Sequence, residues 1–367
     1  MQVPFLDLSR IHEPLKNELE QTFKRVLQDS YFVYGRDVTL FENGFANAHG
    51  SGNCVAMGNC TDALQLTLQA MGVGEGDEVL VPAMTWITDA EVISNLGAMP
   101  VFVDVDRHGL IDVSQIEANI NPNTKAIVVV HLYGKLADMA SIMSIADSHK
   151  LQVIEDCAQS AFAAANGERA GSFGHASVFS FYPTKNLGAL GDAGCLLTRD
   201  NTIALKVRKL SNHGAADKHN HEFPGTNSRM DTLQAAILNL KLPFLEGWNK
   251  ERQKAAKYYI EALSEIELGL PENKDHVFHV FSVLTEHRDE LKKYLKDHGV
   301  QTQIHYPKAL PFTKAYAEFG FEPEDFPKAF DLQNKSLSLP LFPGITEEEQ
   351  AYVVDQIRSF FDSANNA

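Results

Sequence analysis

The chain has 367 residues, which is long enough for two domains and a substantial buried core. Hydrophobic residues make up 44% and charged residues 22%, an ordinary balance for a globular enzyme that excludes a disordered, collagen-like or coiled-coil chain. The 48 acidic side chains outnumber the 32 Lys and Arg to give a net charge of −16, which disfavours nucleic acid and anionic membranes as partners.

The cysteines and the amino-terminal segment indicate a cellular compartment. The four cysteines are scattered and form no C-x-x-C pair, which argues against a zinc ribbon or a dithiol redox motif, and four in 367 residues are too few for a disulfide scaffold. The first residues lack the basic and apolar regions of a signal peptide, and no apolar run is long enough to span a membrane. We therefore expect a reduced, cytoplasmic protein.

From residue 60 onward, short apolar runs alternate with helical patterns. The predicted strands are 78–82, 101–104, 126–130, 152–155, 177–181 and 195–198, and the predicted helices among them are 61–71, 86–96 and 136–149. This alternation is typical of an α/β fold with a mostly parallel sheet covered on both faces. Ligands of such sheets bind at the carboxyl ends of the strands.

The pattern changes in the last third of the chain. Predicted helices at 229–241, 248–263, 288–298 and 346–360 accompany predicted strands at 277–283 and 336–339. We expect a large cofactor-binding α/β domain at 1–245 and a smaller carboxyl-terminal α+β domain at 246–367.

A lysine follows one of the predicted apolar strands. Lys185 lies in FSFYPTKNLGALGDAG (179–194), just beyond the strand 177–181. Burial of an ammonium group lowers its pKa and makes the amine a nucleophile that forms Schiff bases. A surface lysine in a turn is the alternative, and this motif alone does not decide between them.

An acidic pair ends the strand before it. Glu155 and Asp156 have opposite side-chain parity in a strand, so only one can face a site at the sheet edge. A carboxylate beside the pyridine nitrogen of pyridoxal phosphate keeps that ring protonated and electron-withdrawing, and Asp156 is the candidate. The alternative is an acidic pair that caps the next turn.

Two further segments suit a flat, anionic cofactor. Small polar residues around Thr61 begin a predicted helix, whose amino terminus can bind phosphate or can simply be capped. Trp86 follows the strand 78–82 and could stack on a ring or pack in the core. The three histidines at 213, 219 and 221 lie in a polar segment without a recognised metal-binding spacing, so we predict no metal site there.

Taken together, eight segments resemble one family, the DegT/DnrJ/EryC1/StrS group of pyridoxal-phosphate-dependent sugar-nucleotide aminotransferases, which has the type I, aspartate-aminotransferase-like fold. The resemblance covers nearly the whole chain. The segments are GNCTDAL (58–64), GDEVLVPAMTWITDA (76–90), PVFVDVD (100–106), VVHLYG (129–134), VIEDCAQS (153–160), FSFYPTKNLGALGDAG (179–194), NSRMDTLQAAIL (227–238) and IHYP (304–307).

The resemblance implies a role for each matching residue. Lys185 would hold pyridoxal phosphate covalently and move protons, with pyridoxamine phosphate as the intermediate form of the cofactor. The other implied cofactor contacts are Asp156 at the ring nitrogen, Gln159 at the ring hydroxyl, Trp86 on the ring face, Cys60, Thr61 and Ser180 at the phosphate, and Asn227 at the phosphate of a neighbouring subunit. The implied sugar-nucleotide contacts are Tyr182, Lys218, Arg229, His305 and Tyr306.

The segment around Lys185 resembles the branch that aminates C3 of a dTDP-linked 3-keto-6-deoxyhexose with L-glutamate, in an obligate homodimer with shared sites. Surface glycan biosynthesis is the implied context. The alternatives are a C4 aminotransferase on the same scaffold, a sugar dehydratase of the same fold, which by the resemblance would carry histidine in place of the lysine, and a non-catalytic sensor of the same fold.

Overall fold

A computed structural model describes residues 1–217 and 219–365. The strands are β1 (Asn53–Met57), β2 (Glu78–Pro82), β3 (Met99–Val103), β4 (Thr124–Val130), β5 (Gln152–Asp156), β6 (Ala164–Ala165), β7 (Glu168–Arg169), β8 (Ala176–Ser180), β9 (Gly194–Thr198), β10 (Phe281–Leu284) and β11 (Ser336–Leu339). The helices are α1 (Ser9–His12), α2 (Lys16–Asp29), α3 (Arg36–His49), α4 (Cys60–Ala70), α5 (Thr88–Asn95), α6 (Val113–Ile116), α7 (Met139–His149), α8 (Asn201–Leu210), α9 (Thr232–Lys241), α10 (Leu245–Ala262), α11 (Arg288–Asp297), α12 (Pro327–Lys335) and α13 (Glu347–Asn365). Short 3₁₀ turns join several of them.

A seven-stranded sheet forms the centre of the fold. Its strand order is β1-β9-β8-β5-β4-β2-β3, and all neighbours pair in parallel except β9, which is antiparallel to both β1 and β8. The mostly parallel α/β sheet predicted from the sequence is confirmed. Because β9 runs in the opposite direction, its first residue lies at the edge where the other strands end.

Both faces of this sheet are buried, which explains the almost uninterrupted apolar sequence of its strands. Val128 and Val153 are fully buried on the central strands. On the side that α3 and α9 cover, the ring of Phe181 packs edge to face against Phe41 and against Phe45, with ring centroids 5.1 Å apart in each pair. Such packing fixes the ends of β8 rigidly beneath the loop that carries the candidate lysine.

A separate core forms in the carboxyl-terminal part of the chain. Tyr259, Phe281 and Ile357 are buried there, around the two-stranded sheet of β10 and β11. Val3 joins this core and bridges to Val300, so the amino terminus packs with the last third of the chain. The expected boundary at 245/246 falls at the first residue of α10, and the division at that point stays a prediction.

One predicted element is wrong in part. The sequence predicts a strand over 277–283, but only Phe281–Leu284 is a strand. Phe278 has a φ of +47°, which breaks extended pairing, and the N–H of Val277 instead donates to the C=O of Gly134. No helix of residues 1–217 and 219–365 is long and apolar enough to cross a membrane.

Candidate active site

The carboxyl ends of β5 and β8 bring the two principal candidates together. Asp156 is the last residue of β5, and Lys185 lies in the turn that follows Ser180, the last residue of β8. The N–H of Lys185 donates to the C=O of Tyr182 at 2.8 Å and closes that turn. Because β5 and β8 are parallel neighbours, both residues lie at the same edge of the sheet.

The surroundings of Lys185 shift its amine toward the neutral form. Its side chain is half-buried, and burial lowers its pKa from the ordinary lysine value, although the Asp156 carboxylate acts in the opposite direction. A lysine with a lowered pKa carries a larger fraction of nucleophilic amine at neutral pH. Of the two interpretations that the sequence leaves open, this environment favours the nucleophile over a surface lysine.

Asp156 and Glu155 point to different surroundings, as their parity predicts. Asp156 is 7% exposed, and its Oδ1 accepts the N–H of Ala158 at 2.7 Å. Glu155 is fully buried and accepts from the backbone of Gly171 and Gly174 at 2.8 and 2.7 Å. Asp156 is therefore the carboxylate at the sheet edge, and Glu155 holds the chain segment that leads into β8.

His131, Glu155 and Cys157 place their ligand-type atoms within 4.8 Å of one another. The Nδ1 of His131 accepts the N–H of Ala137 at 3.2 Å, which puts the ring proton on Nε2, and Nε2 donates to Glu155 at 2.9 Å. Burial raises the pKa of the Cys157 thiol and keeps it protonated. These hydrogen bonds give the group a structural role at the base of the site.

The amino terminus of α4 forms an anion-binding corner. Asn59 caps the helix by accepting the N–H of Asp62 at 2.8 Å. Cys60 and Thr61 are the first two helical residues, so their N–H groups have no acceptor within the helix and are directed out of its end. Such free amides, with the positive end of the helix dipole, suit a phosphate group.

Gly194 brings Ser180 to this corner. It is the pairing partner of Ser180 across β8 and β9, and a Cβ at Gly194 would lie 2.4 Å from the carbonyl carbon of Asn59. Only glycine permits this approach. The predicted phosphate contacts at Cys60, Thr61 and Ser180 therefore come together in space.

The side chains of the first two residues of α4, Cys60 and Thr61, are neutral. Burial raises the pKa of the Cys60 thiol, so the thiol adds no negative charge beside a phosphate. The Oγ1 of Thr61 lies 3.1 Å from the Oγ1 of Thr88, at the start of α5.

A flat ring could lie between Trp86 and the sheet edge. The side chain of Trp86 is 57% exposed, and its ring centroid is 5.5 Å from that of Tyr306. Gln159 is buried, accepts the N–H of Tyr133 and donates through Nε2 to the hydroxyl of Tyr306 at 3.0 Å. The second N–H of that amide stays available for the predicted contact with a ring hydroxyl.

Two of the predicted substrate residues are adjacent in the segment IHYP. The Nδ1 of His305 lies 2.8 Å from the Oγ of Ser338, and burial lowers the pKa of His305 to about 4, so this ring is neutral at physiological pH. Burial raises the pKa of the Tyr306 phenol. Tyr182 is 51% exposed and extends to the outside of the site.

The remaining candidates belong to the segment 227–229. Asn227 is exposed and bridges to Asn212, while the guanidinium of Arg229 lies 5.5 Å from the ring centroid of Tyr34. The intervening Ser228 accepts the N–H of Gly58, one residue before the cap of α4, at 3.1 Å. Lys218 lies outside the described residues.

Sequence reasoning missed Asp89 and Tyr133. Asp89, in the first turn of α5, is completely buried next to Asp156, and the Tyr133 N–H positions Gln159. Asp89 follows Trp86 by three residues. In a helix that spacing puts two side chains on the same face, which is the signal that could have identified Asp89 as a residue near the site.

These groups fit pyridoxal phosphate feature by feature. The free amides of α4 suit its phosphate, Asp156 its pyridine nitrogen, the exposed face of Trp86 its ring, and Lys185 its aldehyde.

The chain is similar to known proteins over nearly all of its length. Residues 13–358 match the model of the DegT/DnrJ/EryC1/StrS aminotransferase family. One relative, a dTDP-3-amino-3,6-dideoxy-alpha-D-galactopyranose transaminase of Aneurinibacillus thermoaerophilus, is 42% identical over 98% of this chain and 99% of its own. Another, a UDP-N-acetyl-3-dehydro-alpha-D-glucosamine 3-aminotransferase of Acidithiobacillus ferrooxidans, is 42% identical over 97% of both chains.

Solved structures show the same similarity along the whole chain. DesV of S. venezuelae, crystallised with a ketimine intermediate, is 39% identical and superposes with a TM-score of 0.95 over 98% of both chains. NtdA of Bacillus subtilis, with bound cofactor PMP, is 32% identical with a TM-score of 0.92 over 98% of this chain and 85% of its own. The chain belongs to the DegT/DnrJ/EryC1/StrS aminotransferase family and is an aminotransferase of nucleotide-linked sugars.

Proposed function

We propose that this protein transfers the amino group of L-glutamate to C3 of a dTDP-linked 3-keto-6-deoxyhexose and releases the dTDP-3-amino-3,6-dideoxyhexose. The observation that supports transamination most directly is the half-buried Lys185, with a lowered pKa, at the same sheet edge as Asp156 and the free amides of α4. The C3 position and the dTDP nucleotide rest on the sequence around Lys185 and on the A. thermoaerophilus relative. The cytoplasmic location stays a prediction from the sequence.

Pyridoxal phosphate is the cofactor, and when bound it supplies the electron sink that stabilises a carbanion at the amino-bearing carbon. The protein's own groups do the rest. Asp156 would hold the proton on the ring nitrogen, and the amides of Cys60 and Thr61 would anchor the phosphate. Lys185 Nζ would hold the cofactor, and its amine would take a proton from the amino-bearing carbon of the donor and return one to the reacting carbon of the cofactor, a role that the lowered pKa of this lysine favours.

Product analysis tests the regiochemistry. The purified protein with glutamate is incubated separately with dTDP-3-keto-6-deoxyhexose, dTDP-4-keto-6-deoxyhexose and a UDP-linked 3-keto sugar, and the amine position is assigned by NMR. We expect amination of the first compound with kcat/KM at least tenfold above that for the other two. Preference for the 4-keto sugar would support the C4 alternative. Preference for the UDP sugar would show that this protein shares the UDP-sugar specificity for which the A. ferrooxidans relative is named.

The sensor alternative has its own test. An aminotransferase is yellow as purified and loses that colour when glutamate converts the cofactor to its amine form. A protein that binds the cofactor but does not react with glutamate or any other amino acid would support a sensor.

We further propose that two copies of the chain share their active sites. Exposed apolar side chains line α2 and the segment that follows it, with Leu27 57%, Tyr31 60% and Phe32 51% exposed. The segment 31–34 and Arg229 border one cavity, and Asn227 lies two residues from Arg229. A second copy would cover these side chains and receive Asn227 at its phosphate corner.

Mixed dimers test the sharing. Lys185→Ala and Asn227→Ala chains are unfolded together and refolded, and turnover is compared with that of each variant alone. If Lys185 of one chain works with Asn227 of the other, each mixed dimer regains one intact site, and about a quarter of wild-type activity is expected from random mixing. No gain above the sum of the two variants would place both residues in the same chain's site.

A further inference from the structure

A buried carboxyl group without an assigned role lies behind the candidate site. Asp89, in the first turn of α5, has no exposed surface. The hydroxyl of Thr85 lies 2.6 Å from its Oδ2, whereas its Oδ1 has no hydrogen-bond donor in the described part of the chain. An isolated buried carboxylate with one donor is costly, because it loses most of its hydration.

The ionisable group that acts most strongly on Asp89 is Asp156. Their side chains are close enough for a hydrogen bond between the two carboxyl groups. The other titratable groups that interact electrostatically with the Asp89 carboxyl group are Lys185, the thiol of Cys60 and the phenol of Tyr306. Lys185 is the one basic side chain among them, and it acts on Asp156 as well.

Two buried carboxyl groups within hydrogen-bonding reach of each other share a proton, because two negative charges so close together in a buried site repel strongly. Asp156 is the better site for the charge, since it keeps 7% exposure where Asp89 has none, accepts a backbone N–H and interacts with Lys185. Burial, and then the Asp156 charge, raises the pKa of Asp89 well above the ordinary value for aspartate. The proton therefore belongs to Asp89.

We propose that Asp89 is a positioning residue that stays a neutral carboxylic acid and donates a hydrogen bond to Asp156, and so fixes the carboxylate that faces the cofactor ring nitrogen. This role rests on the proposed function as far as the ring is concerned. A carboxylate has about four acceptor positions, so Asp156 can accept from Ala158, from Asp89 and from a ring N–H at once. A neutral donor orients Asp156 without placing a second negative charge in the site.

The first experiment uses the apoprotein. The infrared difference spectrum between wild type and Asp89→Asn should contain the carbonyl band of a buried carboxylic acid at pH 7. The same pair is unfolded with denaturant at several pH values. Native Asp89 keeps a proton that the unfolded chain releases above about pH 4, so wild type should lose stability relative to Asp89→Asn as pH rises, by up to tenfold in the unfolding equilibrium constant per pH unit.

The second experiment uses the protein with bound cofactor. Asp89→Asn keeps the shape and offers an N–H donor, whereas Asp89→Leu is similar in size and offers none. We expect kcat of Asp89→Leu to fall at least tenfold below that of Asp89→Asn, with similar KM. The pH midpoint of the cofactor's absorption change should shift in Asp89→Leu by more than in Asp89→Asn. A merely structural role would lower stability without moving that midpoint.

Specific results would overturn the proposal. Absence of the carboxylic acid band, or equal pH dependence of unfolding in wild type and Asp89→Asn, would show that Asp89 is ionised in the folded protein. An Asp89→Asn protein as impaired as Asp89→Leu would show that donation to Asp156 is not what matters. Because the apoprotein measurements need neither cofactor nor substrate, they stand even if the proposed substrate or reaction is wrong.

Discussion

Replacement of Gly194 by alanine tests how the phosphate corner is built. The new Cβ would lie 2.4 Å from the carbonyl carbon of Asn59 and 2.5 Å from the nitrogen of Cys60, where ordinary contacts begin at 3.4 Å. Both neighbours are backbone atoms, so no side chain can rotate away, and either β9 or the start of α4 must move by about 1 Å. Overpacking of a tight site costs about 1–3 kcal/mol, and backbone on both sides favours the upper end.

The expected effect is therefore an unfolding equilibrium constant raised by up to about a hundredfold. Chemical denaturation of the apoprotein measures it. Gly247→Ala is the matched control, since Gly247 lies within α10 with nothing within 4 Å of a new Cβ. That change should stabilise the helix by up to about 1 kcal/mol.

Measurements of cofactor affinity distinguish a specific effect on phosphate binding from a general loss of stability. Displacement of α4 from Ser180 should weaken pyridoxal phosphate binding at least tenfold, and should change the affinity for pyridoxal, which lacks the phosphate, much less. Equal losses for the two compounds would refute the assignment of this corner to the phosphate. Unchanged stability and unchanged affinity in Gly194→Ala would refute the packing argument itself.

Three more outcomes are expected. Lys185→Ala should abolish turnover while it preserves the circular dichroism spectrum and the oligomeric state, and substantial residual transamination would exclude Lys185 as the nucleophile. Asn227→Ala should lose cofactor faster on dialysis than wild type, whereas a monomeric protein with full cofactor occupancy would contradict shared sites. Burial lowers the pKa of His49 to about 4 in the folded protein, so wild type should lose about 3 kcal/mol of unfolding free energy as pH falls from 6.5 to 4. The variant His49→Asn, which can still donate to the C=O of Phe45, should lose less. Equal losses in the two proteins on acidification would contradict this explanation.

Local sequence patterns predicted most strands of the central sheet, for physical reasons, although β1 was not among them. The strand over Glu78–Pro82 and the strand Ser336–Leu339 have the predicted bounds, because an apolar run and a strict alternation report burial directly. Asp156 was predicted at the carboxyl end of a strand and Lys185 just beyond one; Asp156 is the last residue of β5, and Lys185 lies in the turn that follows β8.

Other features depend on tertiary contacts that no local pattern encodes. Nothing in the residues of β9 distinguishes an antiparallel strand from its parallel neighbours, since both faces are apolar in either case. The helices α2 and α3 precede the region where the sequence pattern was clear and were not predicted. In the sequence, Asp89 looks like an ordinary acidic residue in a first helical turn. Its burial beside Asp156 of β5 is visible only in the folded structure.

The opposite direction of β9 also affects how the protein matures. Its first residue, Gly194, packs against Asn59 and Cys60, which are synthesised long before it, so the phosphate corner cannot exist until β9 has paired with β8 beside the start of α4. A cofactor that binds only this completed corner stabilises the finished fold by mass action and leaves partly folded chains unassisted. Supply of pyridoxal phosphate should therefore limit not only activity but also the amount of folded protein that accumulates in the cell.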